Sequence, residues 1–70
     1  MEKKKLSDLE WEVLKYIWQI QKFPVTVRQV VDFAYPKGEK AYTTVQTVMN
    51  NLVKKGFLEI RKMGIVNVYS

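Results

Sequence analysis

Between Lys40 and Glu59 the chain has no carboxylate, yet Thr43, Thr44, Gln46, Thr47, Asn50 and Asn51 follow one another closely. Catalysis by a nucleophile and its base is poorly served, since the sequence has no histidine, no cysteine and no serine besides Ser7 and Ser70. Amides and hydroxyls do something else: they donate and accept hydrogen bonds together. Gln and Asn can pair bidentately with adenine, and Thr can bond a base or touch the thymine methyl. The missing acids fit this chemistry, because carboxylates would repel phosphates. At 100° per residue, Thr43, Gln46, Thr47, Asn50 and Lys54 fall on one side of a helix. Val45, Val48, Met49 and Leu52 fall on the other.

That polar side is odd for a plain solvated face, which ordinarily uses Glu, Lys, Arg and Ala. Thr and Asn compete with the helix for backbone hydrogen bonds and lower its propensity. For any one of these residues, a tolerated surface position is the plain alternative. The whole set, next to a basic half of the chain, points to DNA contact.

Composition narrows the class. Seventy residues make one domain, read as 1–70. A hydrophobic content of 47% excludes a disordered tail. Without Cys or His, no disulfide or thiolate metal site forms, and neither a metal nor a cofactor is expected. The sequence predicts no membrane span and no signal peptide, hence a soluble, cytoplasmic protein. The net charge of +5 and pI near 9.6 favour a polyanionic partner. Residues 1–40 carry +2 and residues 41–70 carry +3, with Glu59 the only acid in the second stretch. Lys3, Lys4 and Lys5 read as a frayed, solvated end or as a basic arm on phosphates.

The elements that must position the polar face follow from the pattern. Ser7 and Glu10 fit a capping box, with Leu6 and Trp11 spaced for a hydrophobic staple. The stripe Trp11, Leu14, Ile17, Trp18 and Gln21, widened by Val13 and Ile20, predicts a helix to about Lys22, with both tryptophans and Met49 in the core. Phe23-Pro24 ends it. Val25 reads as an extended step, and Thr26 with Gln29 caps a second helix that turns at Pro36-Lys37-Gly38. The third helix spans about 42–55 and meets a left-handed cap at Gly56. Residues 57–61 and 65–69 then read as strands, with Lys62-Met63-Gly64 between them and Tyr69 as a packing residue. Tyr42 either packs or reaches a phosphate. Arg61 and Lys62 either guard an edge or touch the DNA backbone. The class is α+β, mainly α: a winged helix-turn-helix of three helices and a β-hairpin wing.

The run from Ser7 to Trp18 resembles the first helix of the penicillinase-repressor family. Val25–Val31, Ala41–Met49 and Leu52–Gly56 are similar to its second and recognition helices, and Gly64 with Val68-Tyr69 to its wing. The resemblance covers about residues 6–70. It implies a bacterial-type repressor of β-lactam-resistance or copper-homeostasis genes, binding inverted-repeat operators with TACA/TGTA half-sites as a dimer. It places Thr43, Thr44, Gln46, Thr47 and Asn50 at bases or phosphates, and the wing, 61–65, along the backbone. The family usually adds a helical dimerisation domain, which this chain is read as lacking, so a monomer off DNA is the other expectation. Asn51 and Ile65 stand where the family often has basic residues. The competing reading is a winged-helix module that binds proteins.

Overall fold

The computed structural model describes residues 5–70; the first two lysines of the Lys3–Lys5 cluster lie outside them. Helix α1 is Asp8–Ile20, α2 is Val27–Ala34 and α3 is Tyr42–Lys54; strands β1, Ile60–Met63, and β2, Val66–Tyr69, form an antiparallel hairpin. Each helix packs on the other two, and β2 leans on α2. This is the expected winged helix-turn-helix arrangement.

Local chemistry sets the helix starts. In α1 the Ser7 hydroxyl accepts from the Glu10 N–H at 3.2 Å, and Glu10 Oε1 accepts from the Ser7 N–H at 2.8 Å. In α2 the Thr26 hydroxyl accepts from the Gln29 N–H at 3.1 Å, and Gln29 Oε1 accepts from the Thr26 N–H at 2.9 Å. Both reciprocal boxes satisfy donors that a helix start leaves open. The end of α3 closes as a Schellman turn. Gly56, at φ 85°, donates to the Val53 carbonyl, and the Phe57 N–H donates to that of Leu52.

The core is one cluster built from Val13, Leu14 and Ile17 of α1, Val27 and Val30 of α2, and Val45, Val48, Met49 and Leu52 of α3. Val25, Tyr35, Leu58 and Tyr69 complete it. The inner face of α3 is thus the predicted one. Trp11 and Trp18 are not core: they are 46% and 53% exposed and stack edge to face, ring centroids 6.4 Å apart. The reason is angular. Glu10, Val13, Leu14 and Ile17 define the inward arc of α1, and both indoles lie roughly a quarter turn from its centre. On the opposite flank Tyr16 makes edge contacts with Phe33 and Tyr35. The Tyr35 hydroxyl donates to Glu12, and burial, reinforced by that carboxylate, pushes the phenol's pKa above its usual value.

Two boundaries differ from expectation. Helix α1 stops at Ile20 because Gln21 adopts a left-handed conformation, φ 58°, rather than continuing the apolar stripe. The hairpin is shifted. Phe57–Glu59 emerge from the Schellman turn and only then begin to pair, Glu59 exchanging two backbone hydrogen bonds with Ser70. Met63 faces Val66, so the turn is Gly64-Ile65 and Lys62 belongs to β1. Gly64, at φ 63°, occupies the first central position, where a two-residue hairpin of this kind needs a residue free of a Cβ.

A half-buried ion pair ties α1 to the C-terminal cap of α3. Lys55 Nζ lies 2.7 Å from Glu10 Oε1 and also donates to the Lys5 carbonyl at 2.8 Å. The hydrogen bond from Lys55, aided by the Ser7 N–H, holds the Glu10 carboxyl below its ordinary value of 4.5 despite burial. A lowered carboxylate stabilises the fold above its unfolded-state pKa and loses that contribution as pH falls through the folded one. Glu10→Gln is therefore expected to lower the melting temperature at pH 7, with the gap to wild type closing as pH drops below about 4.5; melts from pH 7 to pH 3 check this. Leu52→Ala, at a fully buried position, is expected to cost about 2–5 kcal/mol, read by urea unfolding.

Candidate nucleic-acid interface

The outer side of α3 carries the expected residues at the surface. Thr43, Thr44, Thr47 and Lys54 are exposed, and Gln46 and Asn50 are half-buried. Tyr42 opens the helix and is 45% exposed. No side chain caps α3, and no acid stands in its first turn. Its N-terminal N–H groups thus carry partial positive charge that no neighbouring carboxylate offsets.

The wing lies beside this face. Tyr42 and Gln46 line a groove with Thr26 and Val27 at the start of α2, and with Ile65, Val66, Asn67 and Tyr69 of the hairpin. The groove is about 210 Å3 in volume and open on one side. Its walls are therefore α3 and the hairpin, brought together from positions 19 or more residues apart in the chain.

The two wing cations separate. In the pairing Ile60↔Tyr69, Arg61↔Val68, Lys62↔Asn67, Met63↔Val66, side chains alternate between faces. Lys62 and Asn67 share the face of Tyr69, which is turned to α3. Arg61 shares the other face with Met63 and Val68, and these three border a second hollow with Phe23, Pro24 and Ser70.

Tyr69 links wing and helix. It is 1% exposed, and its hydroxyl donates to Asn50 Oδ1 at 2.7 Å. Burial, with a smaller effect of Tyr42, raises the pKa of its phenol, so the hydroxyl stays a donor through neutral pH. The bond holds the Asn50 carboxamide in one orientation and leaves its amide N–H groups for an outside acceptor. Sequence reasoning placed Tyr69 in the packing and Asn50 on the outer face without seeing that one orients the other. No spacing rule pointed to it, since α3 repeats every 3.6 residues and β2 every two, and the two meet only in the fold. The ion pair of Lys55 likewise removes that lysine from the surface set, leaving Lys54 as the exposed cation at the end of α3.

The described residues hold no group of three or more His, Cys, Asp or Glu able to bind a metal. None of their helices is long and apolar enough to cross a membrane.

The chain's likeness to known proteins covers this whole arrangement. The sequence pattern of the penicillinase repressor family matches residues 6–70. An uncharacterized 16.5 kDa protein of Latilactobacillus sakei is 36% identical over 59 residues, 84% of this chain and 39% of that protein. The transcriptional regulator BlaI of Mycobacterium tuberculosis is 43% identical over 58 residues, 81% of this chain and 41% of its own length. The chain thus spans about two fifths of the curated relatives it matches. Among solved structures, the DNA-binding domain of the repressor BlaI aligns with all of this chain and 84% of its own, at TM-score 0.77 and 34% identity. The monomeric form of Bacillus licheniformis BlaI in complex with the blaP half-operator aligns over the same shares, at TM-score 0.72 and 34% identity. Matched along nearly its whole length in both sequence and fold, the chain belongs to the penicillinase repressor family, a family of DNA-binding transcriptional repressors and not of enzymes.

Proposed function

We propose that this chain binds double-stranded DNA in a sequence-specific manner and represses transcription by covering promoter DNA. The observation that carries the reading is the pairing of a carboxylate-free amide and hydroxyl face on α3 with a wing across one open groove. Helix α3 enters the major groove, where Gln46 and Asn50 meet base edges and Thr43, Thr44 and Thr47 meet bases or phosphates. Lys54 and Lys62 serve the phosphates flanking this contact, and Tyr42, at the open start of α3, reaches a phosphate oxygen. Arg61 reaches the backbone from the other face of the wing. The likeness to a relative described in complex with a half-operator supports DNA as the partner.

Few cations surround this face, so one copy holds arbitrary DNA weakly, with a dissociation constant of about 10⁻⁴–10⁻⁶ M at physiological salt. Two copies on an inverted repeat gain on the order of 10²–10⁴-fold if they are held together. A homodimer on an inverted-repeat operator is therefore the expected working form. The test is fluorescence anisotropy of a labelled TACA/TGTA inverted repeat beside a scrambled duplex, across a salt series. Tighter binding to the repeat, falling steeply with salt, is expected. Equal and weak binding to both duplexes would overturn specific recognition of that repeat.

Side-chain roles separate in the same assay. Gln46→Ala is expected to lose about 1–3 kcal/mol on the preferred duplex and little on scrambled DNA, relaxing base preference. Lys54→Ala is expected to weaken both duplexes alike and lower the salt slope by about one. Tyr69→Phe frees the Asn50 carboxamide. Its expected effect is a loss of preference at the base pair that Asn50→Ala also relaxes, with nonspecific binding unchanged; a loss spread equally over all positions would assign Tyr69 to stability alone.

A further inference from the structure

The most exposed large apolar side chain of the described residues stands at the tip of the wing. Ile65 is 96% exposed. It is the second central residue of the turn opened by Gly64, and the pair closing that turn, Met63 and Val66, is 56% and 46% exposed. Just behind this apolar end, Arg61 lies on one face of the ribbon and Lys62 on the other. No carboxylate follows Glu59. Apolar groups gathered at one exposed point mark a contact surface more often than chance, and cations on both sides of it favour a partner with two negative walls.

We infer that Ile65 is a specificity-determining residue that the wing inserts into the minor groove, beside the major-groove segment read by α3. The inference rests on the DNA-binding reading above. A phosphate strand running in the groove between α3 and the wing leaves the wing tip on the minor-groove side of that strand. The minor groove is about 6 Å wide and 7.5 Å deep. A ribbon entering tip first presents Lys62 to one phosphate wall, Arg61 to the other and Ile65 to the floor. That floor distinguishes base pairs only by the guanine amino group, which G·C adds and A·T lacks. Isoleucine accepts no hydrogen bond, so over G·C it strips water from that amino group and replaces nothing. Over A·T no group projects. Apolar wedges of this kind also favour base steps that unstack readily. The wing therefore extends sequence preference toward A·T pairs that α3 does not touch.

The experiment uses the tightest duplex that the wild-type chain retains from a randomised pool. The same duplex is made with 2,6-diaminopurine in place of the adenines flanking the α3 contact. This base adds an amino group to the minor groove and leaves the major-groove edge of adenine intact. Wild type is expected to bind the substituted duplex about tenfold more weakly, the order of one unfavourable base pair. Ile65→Asn, whose amide can accept from the added amino group, is expected to bind the two duplexes within about threefold of each other. At 96% exposure the substitution leaves the core untouched, and matching circular dichroism of the two chains verifies this. Wild type binding both duplexes alike, while still preferring them to a scrambled one, would overturn the role of Ile65 and leave DNA recognition by α3 standing. Retention of no duplex from the pool would overturn both. DNA-free self-association of wild type that Ile65→Asn abolishes would make the tip a surface for a second copy and overturn its minor-groove role.

Discussion

One buried residue, Tyr69, holds the proposed DNA-reading surface together. The backbone of Tyr69 exchanges hydrogen bonds with Val25 at 2.8 and 2.7 Å, so the linker before α2 pairs with β2. Its ring fills the core, and its hydroxyl grips Asn50 on α3. A hairpin of two four-residue strands is at best marginally stable alone in water. Here it borrows stability from the helices, and the angle between wing and α3 is set by a contact inside the core. Fixing that angle removes ordering entropy that a loose wing would lose on meeting a rigid partner.

Helix α3 shows where stability and function part. Its outer threonines and asparagines are poor helix formers, and its start has no side-chain cap. Summed over three threonines and two asparagines, the propensity loss against alanine reaches about 2–3 kcal/mol at roughly half a kcal/mol per residue. The inner face offsets this, with Val45, Met49 and Leu52 almost wholly buried, each such side chain contributing about 1.5–3 kcal/mol by burial. The Schellman turn and the Glu10–Lys55 ion pair secure the far end. The helix thus exists because of its packing, which leaves the outer face free to carry the amides and hydroxyls that the proposed DNA contact uses.

The features legible in the sequence were those written in short-range rules. Two capping boxes, the glycine ending α3 and the four inward residues of α3 all depend on spacings of three or four residues, and all appear as expected. What escaped depends on distant partners. The tryptophans of α1 fit a helical stripe, but which arc of a helix faces inward is decided by its neighbours, and Glu10 with its lysine claimed the place beside Leu14. The hairpin slipped because apolar runs on both sides of a glycine tolerate more than one register; the cross-pairing of Glu59 with Ser70 and of Met63 with Val66 selects this one. The slip has a consequence for the candidate site. It moves Lys62 from the turn into the strand, parts it from Arg61 and leaves Ile65 at the tip.

That tip changes the balance of forces on the proposed reading. A cation at the end of a wing attracts DNA from a distance but acts alike on every sequence, and its effect fades with salt. An apolar tip attracts nothing from afar and acts only when the groove shape admits it. Removing charge from the tip therefore lowers nonspecific affinity more than specific affinity, since the specific complex regains part of the loss through contact. With the cations held back on the two faces of the ribbon, the proposed wing discriminates by fit, and capture from a distance falls to the net positive charge of residues 41–70.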